Sequence, residues 1–142
     1  MFIVDGANSG TKYSDDYPNV NLYDGDYSTI AVSDLGWGQH WLSVQLAAAP
    51  TYGIGWVAVY NREDTAAPLL KNFAVFVGES AGDMSAETAV QCGQTIESGE
   101  DGVDLSSLGP FMTWCPRVAG KTWITIMQDV LGSNILTLGE IE

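Results

Sequence analysis

Residues 56–77 read Trp-Val-Ala-Val-Tyr-Asn-Arg-Glu-Asp-Thr-Ala-Ala-Pro-Leu-Leu-Lys-Asn-Phe-Ala-Val-Phe-Val. Both ends of this stretch, WVAVY and FAVFV, are short runs of β-branched and aromatic side chains, which suit a pleated backbone. The link between them holds Asn, Asp and Pro, which read as turn residues. The same pattern recurs outward. Leu42-Ser43-Val44-Gln45-Leu46 alternates with period two, as a strand with one wet face should. Trp123-Ile124-Thr125-Ile126-Met127 and Ile135-Leu136-Thr137-Leu138 follow near the end. One weakly helical stretch, residues 81–89, is short and flanked by Gly82 and Gly93. Many short strands with turn punctuation predict an all-β antiparallel sandwich or jelly roll, with a loop-rich first part and no solenoid-type repeat.

At 142 residues the chain fits a single domain spanning 1–142, within the common ~100–150 residue range. Its 46% hydrophobic and 11% aromatic content supplies a core and excludes a disordered acidic tail. Lys and Arg number 5 against 18 Asp and Glu, a formal charge of -13. So few cations cannot displace the counterions of a phosphate backbone, which excludes nucleic acid, and an anionic membrane surface is disfavoured likewise. Cations or neutral partners remain. No apolar run reaches the ~18 residues a membrane span needs. The opening Met1-Phe2-Ile3-Val4-Asp5-Gly6 has no basic segment or signal-length apolar run, which fits a cytosolic chain or one whose leader has been removed. Cys92 and Cys115 are the two cysteines, and spacing alone admits one disulfide or two buried thiols.

Asp24-Gly25-Asp26-Tyr27-Ser28-Thr29 offers two carboxylates, a hydroxyl and a tight glycine turn, a set that suits either a plain turn or a hard, oxygen-seeking cation such as calcium. It is no EF-hand: Thr29 and Leu35 stand where that loop needs Gly and Glu. Glu100-Asp101-Gly102-Val103-Asp104 reads as a loop, within an acidic stretch between Lys71 and Arg117 that reads as solvated surface. His40, the one histidine, reads as a loop residue at the surface or in a cap; no nucleophile elbow, zinc-ligand spacing or phosphate loop accompanies it. Arg62 immediately follows a strand, where binding loops belong. Its planar donors suit sugar hydroxyls or a carboxylate, and Asp64 can hold the guanidinium; a structural ion pair would use the same residues.

In order along the chain, these pieces resemble the F-type lectin (fucolectin) branch of the discoidin, or coagulation factor 5/8 C-terminal-type, superfamily. Asn21-Leu22-Tyr23-Asp24-Gly25-Asp26 with Thr29 is similar to that family's Asn-x-x-Asp-Gly-Asn loop. Trp41-Leu42-Ser43-Val44-Gln45-Leu46 is similar to its Trp-Trp-x-Val-Asp-Leu strand, and Val59-Tyr60-Asn61-Arg62-Glu63-Asp64 to its Ile-Tyr-Asn-Arg-x-Asp element. Cys92-Gly93, Cys115-Pro116 and the closing Leu136-Thr137-Leu138-Gly139-Glu140-Ile141-Glu142 complete the series.

The resemblance implies an eight-stranded jelly-roll sandwich with calcium near one end. Its ligands would be the backbone carbonyls of Asn21, Asp26 and Gly139, the side chains of Asp24 and Glu140, and Thr29. It implies a Cys92–Cys115 disulfide, and so an extracellular or other oxidising compartment. The family's sugar pattern is a His, then Arg-x-Asp, then a further cation. Arg62 and Asp64 match; the last cation falls on Leu69, with Lys71 just beyond, and the His falls on Leu35, with His40 nearer to Arg62. A carbohydrate site of His40, Arg62, Asp64 and Lys71 follows, with Trp37 or Trp41 as a stacking surface. The function implied is a calcium-stabilised, non-enzymatic lectin-like domain for a glycan or glycoprotein. The other reading is a structural or adhesive subunit of a larger assembly with a degenerate sugar site.

Overall fold

The computed structural model describes residues 2–10, 13–34, 36–129 and 135–142. Within these residues ten strands run in the order β1 (Ile3–Asn8), β2 (Ala31–Val32), β3 (Trp41–Leu46), β4 (Trp56–Tyr60), β5 (Phe73–Gly78), β6 (Val90–Ile96), β7 (Phe111–Trp114), β8 (Trp123–Gln128), β9 (Thr137–Leu138) and β10 (Glu140–Ile141). Every pairing is antiparallel. A five-stranded sheet has the order β1-β3-β8-β5-β6, and a three-stranded sheet the order β10-β4-β7. These two sheets hold eight strands, the number the resemblance implies, and β2 with β9, where the strand expected over residues 135–138 falls, adds a short ribbon. At Gly139 the closing stretch changes partner, from β2 through β9 to β4 through β10.

The inner faces meet as the apolar runs require. Leu42, Val44, Phe73, Val75 and Ile126 from the larger sheet pack on Val57, Val59 and Ile141 from the smaller. Phe73 and Phe111 bridge the sheets edge to face, with ring centroids 6.2 Å apart. The disulfide is present: Cys92 of β6 is bonded to Cys115, one residue past β7, tying together the open edges of both sheets.

Three expectations change. Strand β3 has no wet face at Ser43, which is fully buried. Ser43 stands opposite Thr125, with hydroxyl oxygens 2.7 Å apart, and accepts the N–H of Gly82 at 3.0 Å. The turn after β5 thus folds over the sheet's outer side, and a methyl group on Gly82 would lie 2.5 Å from the Trp41 ring. Residues 81–89 are turns, not helix. Asp83 organises them by accepting the N–H of Glu79, the N–H of Ser85 and the hydroxyl of Thr88, at 2.9, 3.2 and 2.8 Å. Short polar side chains that bond nearby backbone groups compete with helix in this way. Within the loop-rich first part, residues Ile3–Asn8 form an edge strand. Among the described residues no helix is long and apolar enough to cross a membrane.

Candidate functional site

Two clusters of predicted residues form, one at the Asp24 loop and one beyond β4. In the first, the Asp24 loop is a series of turns closed by side chains. Asp24 accepts the N–H of Asp26 through Oδ1 (2.8 Å) and the hydroxyl of Thr29 through Oδ2 (2.9 Å). Asp26 accepts the N–H and hydroxyl of Ser28, at 2.9 and 2.6 Å. The Ser28 hydroxyl, and then its N–H, hold the Asp26 carboxyl below the usual carboxylate range. Gly25 makes the turn possible with φ 77°, a left-handed conformation that Cβ-bearing residues resist. The Asn21 side chain donates to the Ile30 carbonyl at 2.8 Å, fixing the loop's far side.

The closing strand delivers Glu140 to this loop. Gly139 passes so close to the Asn61 carbonyl that a methyl group there would lie 2.8 Å from its oxygen. Glu140, 3% exposed, receives the N–H of Gly25, while its Oε2 is buried and has no hydrogen-bond partner. Burial, together with the charges of Asp24, Glu142 and Asp26, pushes its carboxyl up to about 7. The structure therefore gathers Asp24, Asp26, Thr29, Gly139 and Glu140 from the two ends of the chain, with Asn21 one turn earlier. Among the described residues no three His, Cys, Asp or Glu side chains form a metal-ligand cluster. The ligand set expected from sequence has two carboxylates, with backbone carbonyls and a hydroxyl as its other members. A carboxyl oxygen buried without a donor among other acids is a position that a cation can fill.

The second cluster is the loop beyond β4. Asn61, fully buried, shapes it: its side-chain amide donates to the carbonyls of Ala67 (2.9 Å) and Leu105 (2.7 Å), and its oxygen accepts the N–H of Arg62 at 2.8 Å. Arg62 meets Asp64 side-on, Nε and Nη2 each donating to one carboxylate oxygen at 2.5 Å. These bonds, with the N–H of Ala66, outweigh desolvation and hold Asp64 below the usual carboxylate range. The Arg62 side chain is 12% exposed and Asp64 54%. The pair lines an open hollow of about 560 Å³ with Thr65, Pro68, Ser106 and Leu108. Pairing through Nε and Nη2 leaves the Nη1 donors outside the fork.

Lys71 is exposed beside this hollow, donating to the Pro68 carbonyl at 3.1 Å, and Leu69 is 40% exposed. His40 departs from its expected surface place. It is 1% exposed, with Nδ1 3.3 Å from both Asp34 Oδ1 and Ser33 Oγ. Its backbone carbonyl accepts the N–H of Gln128, whose side chain in turn accepts the N–H of Lys71 at 3.4 Å. Gln128, through its N–H and its side-chain oxygen, thus links the His40 and Lys71 backbones, while the imidazole stays inside. Leu35, where the family pattern places a His, lies outside the described residues. Trp37 is 86% exposed, whereas Trp41 packs against the Gly82 turn. The acidic residues Glu100, Asp101 and Asp104 lie in an exposed loop, with Asp104 bonded to Ser106 as a local turn.

Several contributors were not singled out from sequence. Asn61 lay within the quoted Asn-Arg-x-Asp element without a role. Tyr27 and Tyr60 meet edge to face at 4.7 Å, and both hydroxyls point to Glu142, Tyr27 at 2.5 Å. The Glu142 hydrogen bond, reinforced by burial and charge, raises the Tyr27 hydroxyl well above its ordinary value.

No family model matches the sequence, and no curated protein does. Solved structures do match in fold. The lectin domain of lectinolysin, complexed with Lewis b antigen, superposes with TM-score 0.71 at 15% identity over 97% of this chain and 89% of that one. A fucolectin from the serum of striped bass, Morone saxatilis, gives TM-score 0.74 at 17% identity over 97% of this chain and 45% of that one. An F5/8 type C domain from Bacteroides fragilis gives 0.62 at 16% identity, covering 98% and 92%. The chain has the discoidin-like β-sandwich fold that F-type lectins and F5/8 type C domains share.

Proposed function

We propose that this sandwich is a non-enzymatic, calcium-stabilised carbohydrate-binding domain that takes sugar hydroxyls at the Arg62 hollow. The observation that carries the reading is the Arg62–Asp64 fork on the wall of an open hollow. A guanidinium held in one orientation binds hydroxyls at little entropic cost, and Asp64 offers its remaining lone pairs as acceptors. Lys71 adds a donor at the rim. Solved structures of this fold include a lectin domain with Lewis b antigen and a Streptococcus pneumoniae fucose-binding module, which supports a glycan as the partner class.

Calcium enters as the group that Glu140, Asp24, Thr29 and the carbonyls of Asn21, Asp26 and Gly139 would hold. It would supply positive charge that locks the Asp24 loop to the closing strand. The orphaned Glu140 oxygen supports this reading. The disulfide suits an extracellular or other oxidising compartment.

Loss of one charge-assisted donor should weaken glycan binding by about 10–100-fold in Arg62→Ala. Arg62→Lys keeps the charge, loses the fork and should fall between. A glycan array that includes fucosylated structures, followed by titration, reads both variants. An Arg62→Ala protein that binds like wild type would sink the proposal. The second reading, a structural or adhesive module with a decayed sugar site, draws on Leu35 and Leu69, which stand where the family pattern has polar donors, and on the burial of His40. A folded wild type that binds no glycan at millimolar concentration selects it.

A further inference from the structure

The end of the sandwich away from Arg62 holds a larger hollow of about 620 Å³, within the size range of small-ligand pockets. Its floor is apolar: Ile3 begins β1, Leu46 ends β3 and Ile124 lies at the start of β8. Trp56, the first residue of β4, forms a wall and is 45% exposed. Its cross-strand partner Trp114 continues the aromatic surface and is 67% exposed.

Its polar members are Tyr23, Arg117, Glu140 and Glu142; Arg117 is held at its backbone and Glu142 at its carboxylate. Arg117 adopts φ 57°, one of two non-glycine residues with positive φ among those described. Such backbone strain persists where the surroundings over-determine it, and it concentrates at binding sites. Here the surroundings do so. Cys115 is fixed by the disulfide and by donating its N–H to the Gly55 carbonyl at 3.0 Å, which anchors the chain two residues before Arg117. The Arg117 backbone then crosses Gly53 so closely that a methyl group there would lie 2.4 Å from its carbonyl carbon. The guanidinium lies over Gly55, with a methyl group there only 3.0 Å from Nη2. Among the described residues Arg117 has no ion pair, so its donors face the hollow uncommitted to a carboxylate. Glu142 is oriented by the hydroxyls of Tyr27 and Tyr60 and presents acceptors.

We propose that this hollow is a second binding site, independent of Arg62, for a pyranose ring of a neutral glycan. The ring's apolar face would lie on Trp56, with its hydroxyls shared between Arg117 and Glu142. An indole platform, a guanidinium on a fixed backbone and an oriented carboxylate acceptor together match a pyranose, which has one C–H face and a rim of hydroxyls that both give and take hydrogen bonds. Charge disfavours an anionic ligand: Glu140, Glu142 and the whole-chain charge of -13 repel it.

The test is a neutral-oligosaccharide array and titration by tryptophan fluorescence, on the full chain and three variants. Arg62→Ala should retain one class of ligands with wild-type affinity and an intact fluorescence change. Trp56→Ala and Arg117→Asn should each weaken that class at least tenfold. Asn tolerates positive φ, so Arg117→Asn removes the guanidinium without refusing the backbone conformation, and an unchanged melting temperature checks its fold. Unchanged binding of every glycan by Arg117→Asn overturns the proposal. So does loss of all glycan binding in Arg62→Ala, which would assign every ligand to the other hollow. An Arg62→Ala protein that binds everything like wild type removes the first hollow and leaves this one standing.

Discussion

Among the described residues two carboxylates are buried, Asp83 and Glu140, and the fold treats them in opposite ways. Asp83, in the turn after β5, receives three donors from Glu79, Ser85 and Thr88. Burial works against its charge, yet those hydrogen bonds prevail, and its pKa lies below the ordinary value. Glu140, at the closing strand, receives the N–H of Gly25, faces Asp24, Asp26 and Glu142, and keeps one oxygen without a donor. The first group needs nothing from outside the chain. The second keeps an oxygen that no donor among the described residues reaches. Burial alone therefore says little about role; the donors around a buried acid say more.

The contrast can be broken at either member, and the larger effect is expected at Asp83. Asp83→Ala strands two backbone N–H groups and a hydroxyl beneath a turn that covers Ser43 and Trp41. The expected loss of unfolding free energy is about 2–4 kcal/mol, read from denaturant melts. A change under about 0.5 kcal/mol would show that the turn is held by other contacts. Calcium should act next in size. At a concentration ~100-fold above Kd, binding adds ~2.7 kcal/mol to stability, which for a chain of this size is about 5–10 °C in melting temperature. Adding EDTA to metal-loaded protein should reverse that rise, and Glu140→Gln should shrink it. No shift on chelation of the loaded protein removes calcium from the account.

Some of this was open to sequence reading and some was not, for identifiable reasons. WVAVY, FAVFV and WITI became β4, β5 and β8, as their short length and β-branched and aromatic content favour strand over helix. β1 went unread because its IVDGAN sequence is an edge with exposed polar residues, where burial writes no pattern. Ser43 and Thr125 look like the wet side of their strands. They are dry because a turn from elsewhere in the chain, positioned by Asp83, closes over them, and no local window contains that contact. The convergence of Asp24 with Glu140 is likewise unreadable from spacing, since the two come from opposite ends of the chain; only the ordered likeness to a known family put them together. His40 looked like a loop residue among glycines and proved to be interior, because its neighbours Ser33 and Asp34 supply polar partners there. Arg117 figured only as the end of a cation-free stretch. Its positive φ and its seat on Gly53 and Gly55 are tertiary facts.

The smallest expected effect is also the one that separates the two acids by sign. Asp83 has a folded pKa below the ordinary 3.8, so the native turn binds fewer protons than the unfolded chain. Its contribution is fully present above that ordinary value and is lost as pH falls through the folded one. Glu140 runs the other way in metal-free protein. Its carboxyl titrates at about 7 against an ordinary 4.5, so the native state holds the proton that the unfolded state has released. Stability from this site is present below pH 4.5 and fades as pH rises through 7. Melting temperature followed across pH 3–8 in EDTA should therefore fall at both ends, the acid limb belonging to Asp83 and the upper limb to Glu140. Asp83→Asn should flatten the first, and Glu140→Gln the second. Saturating calcium should abolish the upper limb in wild type alone, because the ionised carboxylate then has its counter-charge. If wild type and Glu140→Gln give the same upper limb in EDTA, Asp24, Asp26 and Glu142 carry the repulsion without Glu140, and the two buried acids no longer differ in kind.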